Sequence, residues 1–174
     1  MRRSVLPILA AALLGGCFYA DDPLISRRAA DFPLAEGRYS HTPYHPDGRP
    51  FDRATWTGEI EREGWSYASD EEAFPHQHVR LRELTDGLYA AQRENDGNYL
   101  FGLVFTYPGG IVTYHNPSCS DLSESARDRY ALSVDMEEGT CLIDRWDVLE
   151  AVLLTYLDEQ NGAPRVDGVY RRLD

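Results

Sequence analysis

The sequence predicts a mainly β domain of the α+β class, in which an antiparallel meander forms a strongly bent sheet or a small barrel. Two helices are expected in the C-terminal third. Three observations support this prediction: an aromatic-rich stretch at residues 98–116, a series of short alternating segments separated by glycine turns, and a change to helical periodicity after residue 117. The length of 174 residues fits one domain.

The stretch at residues 98–116 is the longest run rich in aromatic and β-branched residues. Alternate positions carry large apolar side chains, namely Tyr99, Phe101, Leu103, Phe105 and Tyr107. Leu100 and Val104 occupy the opposite face, so the pattern predicts a strand that is buried on both sides. A Pro-Gly-Gly turn at residues 108–110 then reverses the chain into a partner strand. We expect this hairpin to lie at the centre of the sheet.

Short turns around the central hairpin predict a four-stranded meander. Glycine turns end at Gly87 and Gly97, as in tight hairpins. The strands of this meander are expected at residues 78–84, 88–94, 98–107 and 111–116. Alternation predicts a further strand at residues 56–61, and Gly64 turns the chain into a return strand at 65–68. A first short strand is expected at residues 37–42 and a closing strand at 166–173.

Two helices are predicted from capping residues and periodicity. Asp121 and Glu124 have the spacing of a capping box, which predicts a helix that ends near Tyr130. Asp144 is expected to cap a longer helix at residues 145–160, where apolar residues recur at helical spacing. Short strands are expected between the two helices, at residues 132–134 and 140–143.

The N-terminus has the pattern of an export signal. Arg2 and Arg3 precede an apolar segment at residues 5–14, which is too short to span a bilayer. The segment ends in Leu14-Gly15-Gly16-Cys17, which resembles the lipobox of bacterial lipoproteins: an aliphatic residue, two small residues and a cysteine. The resemblance implies cleavage before Cys17 and attachment of a diacylglyceryl group to its thiol.

This resemblance divides the chain into a lipoprotein signal peptide at residues 1–16, a flexible tether at 17–36 and a single β-rich globular domain at 37–174. The tether is expected because charges and prolines alternate there with little periodicity. Acylation would anchor the protein to membrane lipid in the cell envelope. Phe18 follows the cysteine where an aspartate would imply retention at the inner membrane, so the outer membrane, facing the periplasm, is the expected location.

The three cysteines are an odd number for an exported protein. If Cys17 carries lipid, Cys119 and Cys141 remain as a pair in an oxidising compartment, where disulfide bonds persist. We predict a Cys119–Cys141 bridge. Two free thiols, one of them catalytic, are the alternative, although no Cys-x-x-Cys pattern is present.

The composition excludes several classes of function. All 17 basic residues are arginine, so lysine Schiff bases, phosphate-loop lysines and Ser-Lys dyads are absent. The net charge of −12 argues against nucleic acid as a partner, because phosphate groups require a basic surface. We interpret the charge as a solvated acidic surface, with a cationic partner as the alternative.

Histidines are the candidates for metal or acid–base chemistry. His76, His78 and His115 are the candidates for a zinc or copper site, but no motif with metal-ligand spacing is present, so no metal is assigned. His115, Ser118 and Asp121 form a triad only as sequence neighbours, whereas known triads combine distant segments. We assign no catalytic residue and predict no cofactor.

Aromatic residues near strand ends are the candidates for a ligand or partner site. Tyr114 and His115 lie where the central hairpin meets the loop held by Cys119. Trp56 and Trp65 are interpreted as core residues, with stacking on a ligand as the alternative.

The sequence favours a monomeric, lipid-anchored cell-envelope protein with a non-catalytic binding or structural role. Its partner would be another envelope protein or a small apolar ligand. The architecture loosely resembles the lipocalin-type barrels, which implies a carrier of a small apolar ligand as the alternative. A periplasmic hydrolase or metal-binding protein is the second alternative. The segment from Pro117 to the last helix also resembles small lipoproteins of high-GC proteobacteria, a family with no assigned function.

Overall fold

The computed structural model of the chain describes residues 18–135 and 139–173. The predicted signal peptide, the predicted lipid-bearing Cys17, residues 136–138 and Asp174 lie outside the described residues. Within them, eleven strands form one bent, unclosed sheet accompanied by two α-helices, which confirms the predicted mainly β class with helices in the C-terminal third. Over the same residues, neither helix is long and apolar enough to cross a membrane.

The elements follow one another along the chain in a β-rich order. They are β1 (Phe18–Ala20), β2 (Gly37–Pro43), β3 (Trp56–Glu63), β4 (Ser66–Ala68), β5 (Arg80–Thr85), β6 (Leu88–Asn95), β7 (Asn98–Tyr107), β8 (Ile111–His115), α1 (Glu124–Arg129), β9 (Ser133–Asp135), β10 (Thr140–Leu142), α2 (Trp146–Glu159) and β11 (Gly168–Arg172).

The predicted meander is present as β5, β6, β7 and β8, joined by antiparallel ladders. The sheet then continues through β11, β2, β3 and β4. The bend brings β4 back towards the start of β5, where Tyr67 forms a single antiparallel bridge with Val79. The Tyr67 amide donates to the Val79 carbonyl at 2.9 Å. The eight strands therefore curve around an interior without closing through a continuous ladder.

Strand β7 is the centre of the sheet because both of its edges are used. One edge pairs with β6 from Asn98 to Phe105. The other edge pairs with β8 at its C-terminal half and with β1 at Tyr99 and Leu100. Strand β1 also runs parallel to β10, and β10 pairs with β9. The predicted central position of the aromatic stretch is therefore correct. Strand β7 also joins the main sheet to a smaller wing, which consists of β1, β10 and β9.

The two faces of the sheet carry separate cores, as the alternation in β7 predicts. The inner core lies inside the bend and consists of Tyr39, Trp56, Ile60, Tyr67, Phe74, Val79, Leu81, Val104, Val112, Tyr114 and Tyr170. The helix-side core lies on the opposite face, where Phe101 and Leu103 of β7 pack with Leu149 and Val152 of α2. These α2 residues have no solvent exposure, so the helix buries the apolar face that its periodicity predicts.

The structure differs from the predicted tether at residues 17–36. Phe18 and Ile25 are completely buried, and Ala20 is almost so. The Ile25 amide donates to Gln92 Oε1 at 2.6 Å, and the Asp31 amide donates to the Leu81 carbonyl at 2.8 Å. The segment is fixed because β8 ends before the N-terminal half of β7, which leaves backbone groups that β1 satisfies. Described residues 18–36 therefore belong to the folded domain.

The first helix begins later than its predicted capping box. Asp121 ends a 3-10 turn at Cys119–Asp121, where its carboxylate accepts from the Ser118 amide at 2.7 Å. Helix α1 then begins after Ser123, whose hydroxyl accepts from the Ala126 amide at 3.2 Å. In both segments a serine side chain caps the N-terminal amides. The chain therefore has two capped turns where the sequence predicted one.

The second helix also differs at its start. The structure places Arg145 at the N-cap position, without a side-chain cap, where the sequence predicted Asp144. Asp147 lies in the first turn, close to the positive end of the helix dipole.

A disulfide bond joins Cys119 and Cys141, as the cysteine count predicts, with their Cα atoms 5.6 Å apart. It links the 3-10 turn at Cys119–Asp121 to β10. Both cysteines are completely buried in the helix-side core. Because Cys141 is also the register partner of Phe18, the bridge secures the wing of the sheet that contains β1.

Candidate functional site

The most polar part of the inner core is a group of four side chains, which we call the histidine–tyrosine cluster: His41, His76, Tyr114 and Tyr170. His41 of β2 is the register partner of Tyr170 of β11. Tyr114 comes from β8 and His76 from the loop that precedes β5. Four segments that are distant in sequence therefore supply the cluster, and the bend of the sheet brings them together.

Hydrogen bonds pair each histidine with a tyrosine. His41 Nε2 lies 3.1 Å from Tyr114 Oη, and its Nδ1 lies 3.2 Å from Thr55 Oγ1. His76 Nδ1 lies 2.6 Å from Tyr170 Oη. The rings also pack on one another, with centroids 4.7 Å apart for His41 and Tyr170 and 4.5 Å apart for His76 and Tyr114. The cluster is thus held by both polar and aromatic contacts.

Two glycines make room for the aromatic rings of this region. A Cβ atom on Gly168 would collide with the ring and hydroxyl of Tyr114. A Cβ atom on Gly58 would lie 2.6 Å from the Trp56 ring. Neither glycine has a positive φ angle, so their function here is close approach and not backbone freedom. The rings can therefore lie flat against neighbouring strands.

Burial keeps the four side chains uncharged. It lowers the pKa of His41 to about 4. Burial, followed by the charges of His41 and Arg93, lowers the pKa of His76 to about 3. Burial also raises the pKa of both Tyr114 and Tyr170 above the usual tyrosine value. At neutral pH the cluster therefore presents neutral imidazole and phenol groups.

Neutral groups of this kind suit recognition better than proton transfer. A general base is most effective when its pKa lies near the working pH, and both histidines are far below neutrality. The tyrosine hydroxyls are correspondingly poor sources of phenolate. The cluster can donate and accept hydrogen bonds in its neutral form.

A pocket of about 80 Å³ adjoins the cluster. His76, Tyr114 and Tyr170 form part of its wall, together with Arg93 of β6. The rest of the wall is largely apolar and includes Leu81, Leu100, Val104 and Val112. His76 is only partly buried by its neighbours, which is consistent with a side chain that faces a pocket.

The four predicted ligand or partner residues do not form one site. Trp56 and Tyr114 belong to the inner core, as expected for core aromatic residues. Trp65 lies in the turn between β3 and β4 and is 44% exposed. His115 has its ring nitrogens directed to the Arg165 carbonyl at 2.7 Å and to Thr113 Oγ1 at 3.0 Å. Tyr114 and His115 both contribute to the wall of the pocket, whereas Trp56 and Trp65 do not.

The histidines suggested for a metal site are also separated. His78 has a φ angle of 58°, so the chain turns between His76 and the start of β5. The turn places His76 in the interior, while His78 is exposed and lies 3.3 Å from Glu63. Over residues 18–135 and 139–173, no group of three or more histidine, cysteine or acidic side chains could hold a metal ion. The triad neighbours Ser118 and Asp121 bond to each other instead.

Sequence reasoning missed three residues of this site: His41, Tyr170 and Arg93. A signal for His41 was present, because alternation in β2 places it on the same face as the apolar Tyr39. Arg93 was missed because arginine usually faces solvent, and the bend that puts this face of β6 inside is not visible in the sequence.

Searches with protein-family models, curated proteins and solved structures find no match to this chain. The geometry of the site itself is therefore the basis for the function proposed below.

The buried histidines predict a loss of stability in mild acid. Their folded pKa values lie below the unfolded value of about 6.5, so the unfolded chain binds more protons as the pH falls. Their contribution is complete above about pH 6.5 and is lost progressively from there towards pH 4. The free energy of unfolding should fall by about 1.4 kcal/mol per pH unit for each histidine, measured by urea unfolding between pH 6.5 and 5.

Variants separate this effect from acid sensitivity elsewhere in the protein. His41→Gln should reduce the slope of stability against pH by about one histidine's share, whatever its effect at pH 7.5. His78→Gln, at an exposed site, is the matched control and should keep the wild-type slope. An unchanged slope in His41→Gln would contradict the lowered pKa of His41 in the folded protein.

Proposed function

We propose that the protein is a lipid-anchored protein of the bacterial cell envelope with a non-catalytic binding role. The main support is the sequence Leu14-Gly15-Gly16-Cys17, which follows a short basic and apolar segment and resembles a lipobox. Cleavage before Cys17 would remove residues 1–16 and leave every described residue in place.

Two further features fit this proposal. The Cys119–Cys141 disulfide suits an oxidising compartment, such as the one an export signal leads to. The histidine–tyrosine cluster is uncharged at neutral pH, and three of its four side chains line a pocket, which suits binding better than acid–base catalysis.

The size of the pocket bears on the lipocalin-like alternative. Sites for drug-sized ligands usually measure about 300–1,000 Å³. The pocket beside the cluster measures about 80 Å³, because aromatic side chains fill most of the interior. A binding role for something smaller is therefore better supported than the carriage of a large apolar ligand.

The anchor is tested by Cys17→Ser expressed in a Gram-negative host. The variant should lose fatty-acid label and leave the membrane fraction, because the acyl chains attach to this thiol. Gly16→Ala is the matched control, since alanine keeps a small residue before the cysteine and should retain both label and fractionation. Persistence of the Cys17→Ser protein in washed membranes would count against the proposal.

A further inference from the structure

We infer that the pocket beside the histidine–tyrosine cluster binds a short-chain carboxylate, with Arg93 as the cation that holds the carboxylate group. This inference names a ligand for the binding role proposed above, and it does not depend on the lipid anchor. The fractionation experiment and the binding experiment can therefore fail separately.

The direction of Arg93 follows from alternation along β6. Leu88, Ala90 and Gln92 are buried on the helix side, whereas Ala91 and Arg93 face the inside of the bend. Arg93 is half-buried and forms part of the pocket wall. An arginine on the inner face of a strand is unusual, because the interior beside it is largely apolar.

Arg93 has no carboxylate partner among the residues that the structure describes. Its guanidinium donates a hydrogen bond to the Pro75 carbonyl at 3.3 Å, which uses one of five N–H donors. Acidic side chains are not scarce, since the chain has 29 of them. Burial lowers the pKa of Arg93, because part of its charge is removed from water.

The space beside Arg93 adjoins Ala91, the small residue that precedes it on the same face of β6. On β7, the His115 carbonyl oxygen approaches Gly102 and would lie 2.8 Å from a Cβ atom there. Ala91 of β6 and Gly102 of β7 are register partners, and Arg93 is paired with Leu100 one step further along the same face. The pocket is about half the size of the roughly 150 Å³ cavity that holds benzene in an engineered protein. It suits an apolar tail of about one to three carbon atoms.

The polar groups of the wall do not oppose an anion. His76 and Tyr170 are neutral and share a hydrogen bond, and no described carboxylate lines the pocket. Guanidinium groups match the planar geometry of carboxylates and form two parallel hydrogen bonds with them. Phosphate and sulfate have no apolar part to place against the largely apolar wall, so a carboxylate with a short tail is favoured.

The test is a titration of the purified protein with sodium propionate. Binding is measured by isothermal titration calorimetry and by the shift of the thermal midpoint. Propionate should bind saturably and raise the midpoint, and hexanoate, with its longer tail, should bind at least tenfold more weakly. Sodium phosphate is the comparison anion and should produce no saturable binding. Equal binding of hexanoate or phosphate would overturn the assigned ligand class.

Two variants test the site itself. Arg93→Met should weaken propionate binding at least tenfold. Arg80→Met is the matched control, because Arg80 also donates to a backbone carbonyl but precedes the inner Leu81 and faces the other side of β5. Ala91→Leu should abolish binding by filling the pocket while Arg93 remains. Wild-type affinity in Arg93→Met or in Ala91→Leu, or no saturable binding of propionate to the wild type, would overturn the inference.

Discussion

Replacement of Phe18 by alanine is expected to lower the free energy of unfolding by about 3–5 kcal/mol, the usual range for a buried phenylalanine. Phe18 has no solvent exposure and belongs to the helix-side core, which also contains both cysteines. Because β1 is only three residues long, a cavity at its first position also weakens the pairing with β7 and β10. Urea unfolding of the purified variant measures the loss.

This variant distinguishes a folded segment at residues 18–36, as the structure shows, from the mobile tether that the sequence predicts. A side chain in a mobile tether would contribute within about 0.5 kcal/mol. Phe51→Ala is the matched control, since Phe51 is 38% exposed in a loop and stacks on His45 with ring centroids 4.2 Å apart. Its loss should remain below that of Phe18→Ala. Equal small effects for both variants would show that β1 does not belong to the cooperative unit.

Removal of the disulfide by the double replacement Cys119→Ala and Cys141→Ala is expected to cost about 3 kcal/mol. The two cysteines are 22 positions apart in sequence, so the bridge restricts a loop of intermediate length in the unfolded chain. For a domain of this size, such a loss corresponds to a decrease of about 6–12 °C in the thermal midpoint.

Reductant provides the control for this prediction. It should lower the thermal midpoint of the wild-type protein towards that of the double variant and leave the double variant unchanged. Complete burial of both sulfur-bearing residues means that reduction should need partial unfolding and should therefore be slow. A wild-type midpoint that does not respond after full reduction would contradict a stabilising role for the bridge.

Local patterns predicted most of the sheet correctly. Alternation and glycine turns located β5 to β8 within about two residues, because a period of two and a tight turn are both properties of neighbouring residues. The same holds for α2, whose apolar stripe is continuous over several turns. Cysteine pairing was also predictable once one cysteine had a separate explanation.

The features that the sequence did not reveal depend on contacts between residues that are far apart in the chain. Strand β1 has three residues and no visible alternation, and it forms because β7 and β10 offer it two edges. The histidine–tyrosine cluster depends on the bend that brings β2, β8 and β11 together with the loop containing His76. The position of Arg93 beside a pocket depends on the bend that puts this face of β6 inside. None of these contacts joins residues that are close in sequence.

The pairing of β1 also limits how far the domain could extend from a bilayer. Consecutive Cα atoms are about 3.8 Å apart, and Phe18 is already held in the sheet beside Cys141. An acyl group on Cys17 would therefore be attached to the domain without a spacer. If Cys17 carries the proposed lipid, the domain would lie close to the lipid head groups, and a ligand or partner would meet it near the membrane surface.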